Sequence, residues 1–288
     1  MQKTAFERAN EVIQAANLED IFALERSGGG RSNEVWFYGP YVIRVQVQGV
    51  GGMLEGEMRL LRNLPTSIPH APVIAAGETW VVQRRGGGEP LSKVWASLPL
   101  AKRRAAAQQI AAILINLHQV RISGTPSLPP GWFAGHLPAD ILRLAAQLRD
   151  HDPALLDEVS LFTRKTMAEI TPPLRWGFIH RDLHFDHVLW NGERVTALLD
   201  FESAVIAPRE LELEMIMRFC RYPSLYSALD PSDLEPLLGW LQEDYPLLFS
   251  EAGLERRLRL YSIEHDLRLL AERPDQATLD RLRAAIAG

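Results

Sequence analysis

The sequence predicts an α+β protein with two lobes, a small sheet lobe followed by a larger, mainly helical lobe. After a first helix, the short β-type runs IFALE, EVWFYG, YVIRVQV and TWVVQRR surround a single helical stretch, MLEGEMRLLRNL. From about residue 90 the pattern is helical, and several helices open with proline, whose missing N–H costs nothing in the first turn. The Gly-rich segment QRRGGGEPL at 83–91 divides these halves, so we expect lobes at 1–85 and 86–288.

Composition is that of a soluble globular protein, with 47% hydrophobic and 23% charged residues in a chain of 288. A net charge of -5 gives no basic footprint for DNA or RNA. Cys220 is the only cysteine and forms no internal disulfide. The N-terminus lacks the apolar run of a signal peptide, and the apolar run at 110–117 is too short to span a bilayer. We therefore expect a cytoplasmic protein without nucleic-acid or membrane partners.

Acidic residues are concentrated in the last third of the chain. From Asp200 onward there are 17 Asp and Glu against 10 Arg, a charge of -7, which leaves +2 for the residues before it. The excess indicates either solvated helix faces or an acidic wall that favours a cationic ligand. The alternating run Glu210, Glu212 and Glu214 falls in a predicted helix, and we expect it to be a solvated face.

The segment IHRDLHFDHVLWNGERVTALLDF, residues 179–201, is rich in histidine and aspartate, with three histidines and two aspartates in HRDLHFDH alone. The Asn-Gly pair within it predicts a hairpin turn. If NGER forms the loop, His187 faces Leu198, and Asp200 lies two residues further on, roughly 7 Å along the strand. The preceding strand brings Asp182 into the same loop. The hairpin therefore predicts that Asp182, His187 and Asp200 meet at one end.

This group is typical of phosphoryl transfer, in which one carboxylate orients or deprotonates a hydroxyl and others hold a divalent metal. The protein-kinase loop H-R-D-x-x-x-x-N followed by Asp-Phe-Gly has the same order and spacing. Here His180-Arg181-Asp182 is followed by His187 in place of Asn, and Asp200-Phe201 is followed by Glu202 in place of Gly.

Over most of residues 20–220 the chain resembles the aminoglycoside phosphotransferase family of small-molecule kinases. The resemblance rests on GGGRSNEVW, on YVIRV at 41–45, on Glu57 with leucines four and seven residues later, and on GEPL and LH further along. The most specific piece is HxDLHxxH with a following DF. The resemblance implies a bilobal protein-kinase-like fold with an antiparallel-sheet N-terminal lobe. It also implies ATP or GTP with Mg²⁺ as cofactors, and transfer of the γ-phosphate to a hydroxyl.

The resemblance also implies that a glycine-rich loop surrounds the nucleotide phosphates and that a cationic side chain lies beside them. The loop residues are Gly28, Gly29, Gly30 and Ser32. Because no lysine occurs between Lys3 and Lys93, Arg44 must supply the cation, paired with Glu57 or its rival Glu55.

The metal and catalytic roles fall in the second lobe. We expect His187 and Asp200 to bind Mg²⁺ and Asp182 to be the catalytic carboxylate. Imidazole favours Zn, Cu or Fe over Mg, but histidine at this place resembles the macrolide and 2''-aminoglycoside kinase branches. His180 is expected to hydrogen-bond the loop backbone, and His184 either packs or contacts substrate. The acceptor is predicted to be a small hydroxylated molecule, either cationic or neutral, such as an aminoglycoside, a macrolide or choline.

Two other interpretations of the sequence stay open. DLHFDH at 182–187 resembles the HxHxDH motif of metallo-β-lactamase-fold hydrolases, which need more histidines downstream, but only His265 follows. That fold also predicts strands alternating with helices. Alternatively, the arginine and histidine replacements could leave a pseudokinase that binds nucleotide without turnover. The presence of both Asp182 and Asp200 favours turnover.

Overall fold

The computed structural model describes residues 4–27, 33–47, 53–150 and 152–287. Helix α1 (Ala5–Ala15) begins at Thr4, whose hydroxyl accepts the N–H of Glu7 at 3.2 Å while the Glu7 carboxylate accepts the N–H of Thr4 at 2.7 Å. This reciprocal capping satisfies two N–H groups that have no partner inside the helix. Ala9 and Val12 lie on the buried face of α1 and pack against the sheet.

A five-stranded antiparallel sheet follows α1, in the order β1-β2-β3-β5-β4. The strands are β1 (Leu24–Arg26), β2 (Asn33–Tyr38), β3 (Tyr41–Gln46), β4 (Val73–Ala76) and β5 (Trp80–Arg84). Helix α2 (Met53–Leu61) is inserted between β3 and β4. The predicted small sheet with one helix among its strands is therefore confirmed.

Alternation along β3 decides which side chains reach the neighbouring cleft. Ile43 and Val45 are buried with Ala9 and Val12 on the α1 side of the sheet. Because successive side chains of a strand point to opposite faces, Arg44 lies on the other face, where it meets α2.

From Leu91 onward the protein is mainly helical. The helices are α3 (Leu91–Val94), α4 (Leu100–Leu117), α5 (Leu137–Ala145), α6 (Pro153–Glu169), α7 (Glu210–Arg221), α8 (Pro231–Leu234), α9 (Leu237–Asp244), α10 (Leu254–Glu272) and α11 (Gln276–Ala287). Proline occupies the first turn of α5, α6 and α8, as predicted. The apolar run at 110–117 is the buried part of α4. No helix among the described residues has the length and apolar character needed to cross a membrane.

Five short strands interrupt the helical part. Strand β6 (Glu89–Pro90) pairs with β8 (Val188–Trp190), which pairs with β9 (Val195–Leu198). Strand β7 (Trp176–Ile179) pairs antiparallel with β10 (Val205–Pro208). The sequence indicated the 188–198 hairpin and the strand before the loop but missed β6, which has only two residues, and β10.

The Gly-rich segment between the sheet and the helices runs close to the hairpin. Gly88 has φ +103°, and a Cβ built on it would lie 2.3 Å from the carbonyl oxygen of Trp190. Only glycine fits such a contact without displacing backbone. Gly88 therefore allows the connecting segment to pair with β8.

The hairpin register differs by one residue from the prediction. Trp190 pairs with Val195, but a bulge between Leu189 and Trp190 makes Val188, and not His187, the partner of Leu198. His187 lies opposite Leu199, whose N–H donates to the His187 carbonyl at 2.9 Å. The prediction of the pair His187 and Leu198 was wrong because a regular ladder was assumed.

Candidate active site

A cleft of about 970 Å³ separates the sheet from the loops that precede and follow the hairpin. Its upper wall is the α2-facing side of the sheet, including Val35, Val42 and Arg44. Its lower wall includes Asp182 and Asp200. The cleft therefore joins residues that are far apart in sequence, and both predicted carboxylates border it.

His180 fixes the backbone of the loop that follows β7. Its Nε2 donates to the carbonyl of Leu199 at 2.7 Å, and its Nδ1 accepts the N–H of Asp182 at 3.3 Å. These two bonds require the neutral tautomer with the proton on Nε2. Burial, reinforced by the nearby His187, lowers the pKa of His180 to about 4. The expected backbone role of His180 agrees with these contacts.

Glu212 holds the same loop from below, a role that the sequence did not reveal. Its carboxylate, in the first turn of α7, accepts the N–H of His180 at 2.6 Å and that of Arg181 at 3.3 Å. Arg181 has φ +67°, which is unusual for a residue with a side chain. Burial raises the pKa of Glu212 to about 7. The carboxylate thus anchors the turn immediately before Asp182.

The neighbouring acidic residues of α7 are also buried, so the expected solvated face was wrong. Glu210 binds the guanidinium of Arg257 through two contacts of 2.6 and 2.7 Å. Glu214 pairs with Arg218 at 3.0 Å. The helical repeat was the missed signal, because positions two residues apart lie about 200° apart around a helix and cannot share one face.

Asp182 lies at the floor of the cleft with its side chain 37% exposed. Its carboxylate oxygens are 3.8 Å from Nε2 of His184 and 3.7 Å from Nδ1 of His187. Burial raises the pKa of Asp182 to about 6; His187 opposes this rise and Asp200 adds to it.

His187 is oriented so that one ring nitrogen faces Asp200. Its Nδ1 lies 2.8 Å from the carbonyl oxygen of Asp182, a contact that requires Nδ1 to carry a proton. The other ring nitrogen, Nε2, is 3.8 Å from Oδ2 of Asp200. Asp200 adopts the left-handed conformation at φ +60°, and its Oδ1 is buried without a hydrogen-bond donor. A nitrogen and a carboxylate so arranged can hold a cation between them.

Arg44 joins the sheet to α2 and to the loop after β9. Its guanidinium lies 2.8 Å from Glu57 and 3.6 Å from Asp200. Glu55, the alternative partner, is exposed and pairs with Arg59 at 3.0 Å instead. Arg44 therefore pairs with Glu57, the partner that the family resemblance implies.

Glu57 reaches the second lobe as well. Its Oε1 accepts the N–H of Phe201 at 3.2 Å, while its Oε2 is buried without a partner. Burial raises the pKa of Glu57, and Arg44 opposes that rise. One carboxylate therefore connects the helix under the sheet to the residue after Asp200.

Glu202 is a further acidic residue whose position the sequence did not indicate. It replaces glycine after Asp200-Phe201, and its Oε2 accepts a hydrogen bond from the amide of Asn33 at 3.3 Å. One oxygen each of Glu57, Asp200 and Glu202 lies within 4.8 Å of the others. The contact with Asn33 links the start of β2 to the Asp200 side of the cleft.

The predicted phosphate loop, with Gly28, Gly29, Gly30 and Ser32, lies outside the described residues. Its role therefore stays a prediction. Of the other predicted residues, Arg44, Glu57, Asp182, His187 and Asp200 all border the cleft.

A profile of the phosphotransferase enzyme family (APH) matches residues 23–248 of this sequence. The chain belongs to the phosphotransferase enzyme family. A comparison with curated proteins gave no match.

Solved phosphotransferase structures share the fold. The GDP complex of aminoglycoside 2'-phosphotransferase-IIIa is 20% identical, with TM-score 0.72 and 99% of both chains covered. ADP-bound aminoglycoside phosphotransferase APH(2'')-Ib is 14% identical, with TM-score 0.68 and 96% of both chains covered. The macrolide 2'-phosphotransferase MphH from Brachybacterium faecium, an apoenzyme, is 17% identical, with TM-score 0.66 and 97% of this chain and 98% of that one covered. At these identities the likeness establishes the kinase-like fold.

The phosphotransferase fold contradicts the metallohydrolase interpretation of DLHFDH. That alternative predicts strands alternating with helices after the motif. Among the described residues, only two strands, β9 and β10, follow β8. The chain is mainly helical from Glu210 onward. His265, the only later histidine, lies on α10 with its Nδ1 3.9 Å from Glu214.

Proposed function

We propose that this phosphotransferase moves the γ-phosphate of ATP or GTP to a hydroxyl group of a small molecule. The observation that carries the proposal is the placement of Asp182 and Asp200 on one wall of the cleft with His187 between them. A carboxylate for the acceptor hydroxyl then lies beside a metal-binding pair, as phosphoryl transfer requires.

The nucleotide would bind under the sheet, in the lobe formed by residues 1–85. Val35 and Val42 of this lobe, with Leu198 across the cleft, would supply apolar surface for a base, and the Arg44 guanidinium in the same cleft would meet the phosphates. Arginine binds phosphate oxygens through two parallel N–H groups. Related structures are complexes with ADP, GDP or AMP-PNP, which supports both ATP and GTP as donors.

Mg²⁺ would be held by Asp200 and His187. The buried, undonated Oδ1 of Asp200 suits a hard cation, and the Nδ1–H of His187 bonded to a carbonyl is the arrangement that orients a histidine ligand. When bound, the ion neutralises phosphate charge. The protein's own contribution is to fix both ligands, through the hairpin and through the Asp182 carbonyl.

Asp182 would accept a hydrogen bond from the acceptor hydroxyl and aim its oxygen at the γ-phosphate. A carboxylate with pKa about 6 is ionised at neutral pH and is basic enough to draw the proton as the new P–O bond forms. Catalysis would come mainly from positioning and charge stabilisation.

The acceptor would reach Asp182 from the helical lobe, residues 86–288. Glu210 and Glu214 are paired with Arg257 and Arg218, which neutralise their negative charge. Any attraction for a cationic acceptor would therefore come from the carboxylates that line the cleft. Structural relatives bind gentamicin and hygromycin B, and another is a macrolide 2'-phosphotransferase. These support an alcohol acceptor of the aminoglycoside or macrolide type, and a choline-like acceptor stays a prediction from the sequence.

The decisive experiment is calorimetric titration of metal-free protein with ATP and GTP, with and without Mg²⁺, repeated on Asp200→Asn. We expect binding that depends on Mg²⁺ and is lost in the variant. Nucleotide consumption is then measured with streptomycin, gentamicin, erythromycin and choline as acceptors. Absence of nucleotide binding contradicts the proposal, whereas tight binding without consumption supports the pseudokinase instead.

A further inference from the structure

We propose that Asp182, His184 and His187 form a binding site for one borderline transition-metal ion such as Zn²⁺, and that the ion inhibits the protein. The inhibition rests on the proposed kinase function, whereas the metal site does not. One donor atom from each residue lies within 4.8 Å of the other two. No role in the phosphotransfer reaction accounts for this arrangement of two imidazoles on one carboxylate.

The distances are close to those of a metal centre. Asp182 Oδ1 lies 3.8 Å from Nε2 of His184, and Asp182 Oδ2 lies 3.7 Å from His187 Nδ1. Donors bound to Zn²⁺ at about 2.1 Å in a tetrahedral site lie about 3.4 Å apart. The two Asp182 contacts therefore need to shorten by about 0.3–0.4 Å, and the two imidazole nitrogens need to approach each other by at most about 1.4 Å. The Asp182 side chain, at 37% exposure, can rotate toward the two rings.

Both rings are held in place before any ion binds. The ring centres of His184 and His187 are 4.0 Å apart, and His184 is buried with its ring 5.0 Å from that of Tyr226. The carbonyl of Asp182 accepts a hydrogen bond from Nδ1 of His187. The nitrogen of His187 that lies 3.7 Å from the Asp182 carboxylate is this same Nδ1, so an ion bound there replaces the proton of that hydrogen bond.

The donor set selects the ion. Imidazole favours Zn, Cu or Fe, while Mg²⁺ prefers a set made of oxygens. Two imidazoles and a carboxylate therefore bind Zn²⁺ or Co²⁺ far better than Mg²⁺. An ion at this site would occupy the carboxylate that the acceptor hydroxyl needs and would replace the hydrogen bond that orients His187 beside Asp200. The outcome is reversible inhibition by trace Zn²⁺ in the presence of excess Mg²⁺.

The experiment is a titration of Co²⁺ into full-length, chelator-treated protein in excess Mg²⁺, followed by visible absorption, with displacement by Zn²⁺. We expect one Co²⁺ per chain, with the intense bands of a four-coordinate site that includes nitrogen donors. His184→Asn should weaken binding at least about tenfold, since loss of even an indirect partner costs 10–100-fold. His136→Gln, which removes an exposed histidine outside the group, should leave binding unchanged.

Failure to bind Co²⁺, or equal binding by wild type and His184→Asn, overturns the inference. A rise of the wild-type Tm on addition of Zn²⁺ tests the site without any variant, and its absence also overturns the inference. ATP binding is measured on the same samples. If the wild-type protein does not bind ATP, the kinase proposal is contradicted. The Co²⁺ titration still tests the metal site in that case.

Discussion

Glu212 accepts a hydrogen bond from the backbone N–H of His180 at 2.6 Å and so ties helix α7 to the start of the loop that carries Asp182. The same carboxylate binds the N–H of Arg181 at 3.3 Å. The Glu212 side chain is fully buried, so water cannot take its place as the acceptor for these two N–H groups. The position of the Asp182 carboxylate therefore depends on a residue thirty positions later in the chain.

Replacement of Glu212 by leucine should destabilise the protein by about 2 kcal/mol or more, because two buried N–H groups lose their acceptor. Turnover should fall along with stability. Urea denaturation measures the first effect and nucleotide consumption the second. Glu158→Leu, at an exposed position of α6, is the control and should change stability by no more than about 0.5 kcal/mol. Equal effects of the two substitutions would contradict the anchoring role.

Stability should also depend on pH through Glu212. Its folded-state pKa of about 7 is above the ordinary value of 4.5, so the folded protein binds this proton more tightly than the unfolded chain does. The stabilisation is complete below pH 4.5 and is lost as pH rises through 7. Thermal unfolding from pH 5 to pH 8 should show this decline, and the decline should be smaller in Glu212→Gln, which does not titrate. Parallel curves for the two proteins would argue against a raised pKa.

Asp182→Asn should abolish phosphate transfer but leave nucleotide affinity close to that of wild type, because the side chain is proposed to contact the acceptor and not the donor. At pH 8 the variant should have a higher Tm, since it removes a partly buried charge near Asp200. For wild type, kcat/KM should rise as pH increases through about 6. A variant that retains most of its turnover would remove Asp182 from the mechanism.

Arg44→Met should destabilise the protein by about 3–5 kcal/mol, because it leaves the buried Glu57 carboxylate without its partner. Arg44→Lys keeps the charge and should cost less stability while raising KM for ATP. Arg59→Met breaks an exposed pair of α2 and should cost at most about 0.5 kcal/mol. Urea denaturation of the three variants, with KM for the folded ones, checks this order.

Arg181→Gly should stabilise the protein by about 1 kcal/mol, because a side chain at positive φ costs roughly 1–2 kcal/mol and part of this is offset by the flexibility of glycine. Arg143→Gly in helix α5 is the contrasting substitution and should destabilise by about 1 kcal/mol. The change in Tm of each variant is the measurement. Destabilisation by Arg181→Gly would mean that its side chain makes contacts that outweigh the strain.

The sequence predicted the residues that are grouped in local motifs. Asp182, His187 and Asp200 were predicted to meet at one end of a hairpin, because spacing along a strand converts directly into distance. The two-lobed fold was predicted for a similar reason, since strand and helix periods change near residue 90.

The contacts that the sequence could not reveal join distant segments. Nothing in the periodicity of α7 identifies Glu212 as the acceptor for N–H groups more than thirty residues earlier, or Asn33 as a donor to Glu202. The bulge beside Trp190 was also missed, because a single extra residue leaves no repeating signal. Such features depend on tertiary packing, which local patterns do not record.

The bulge has a consequence for how this hairpin can evolve. It lies between Leu189 and Trp190, on the turn side of the pairs that align His187 with Leu199. Insertions or deletions in the turn at 191–194 can therefore be absorbed there without altering the alignment of His187 and Asp200. Deletion of Val188 would instead reverse the faces of the strand. We therefore expect natural variation in length to be confined to the turn.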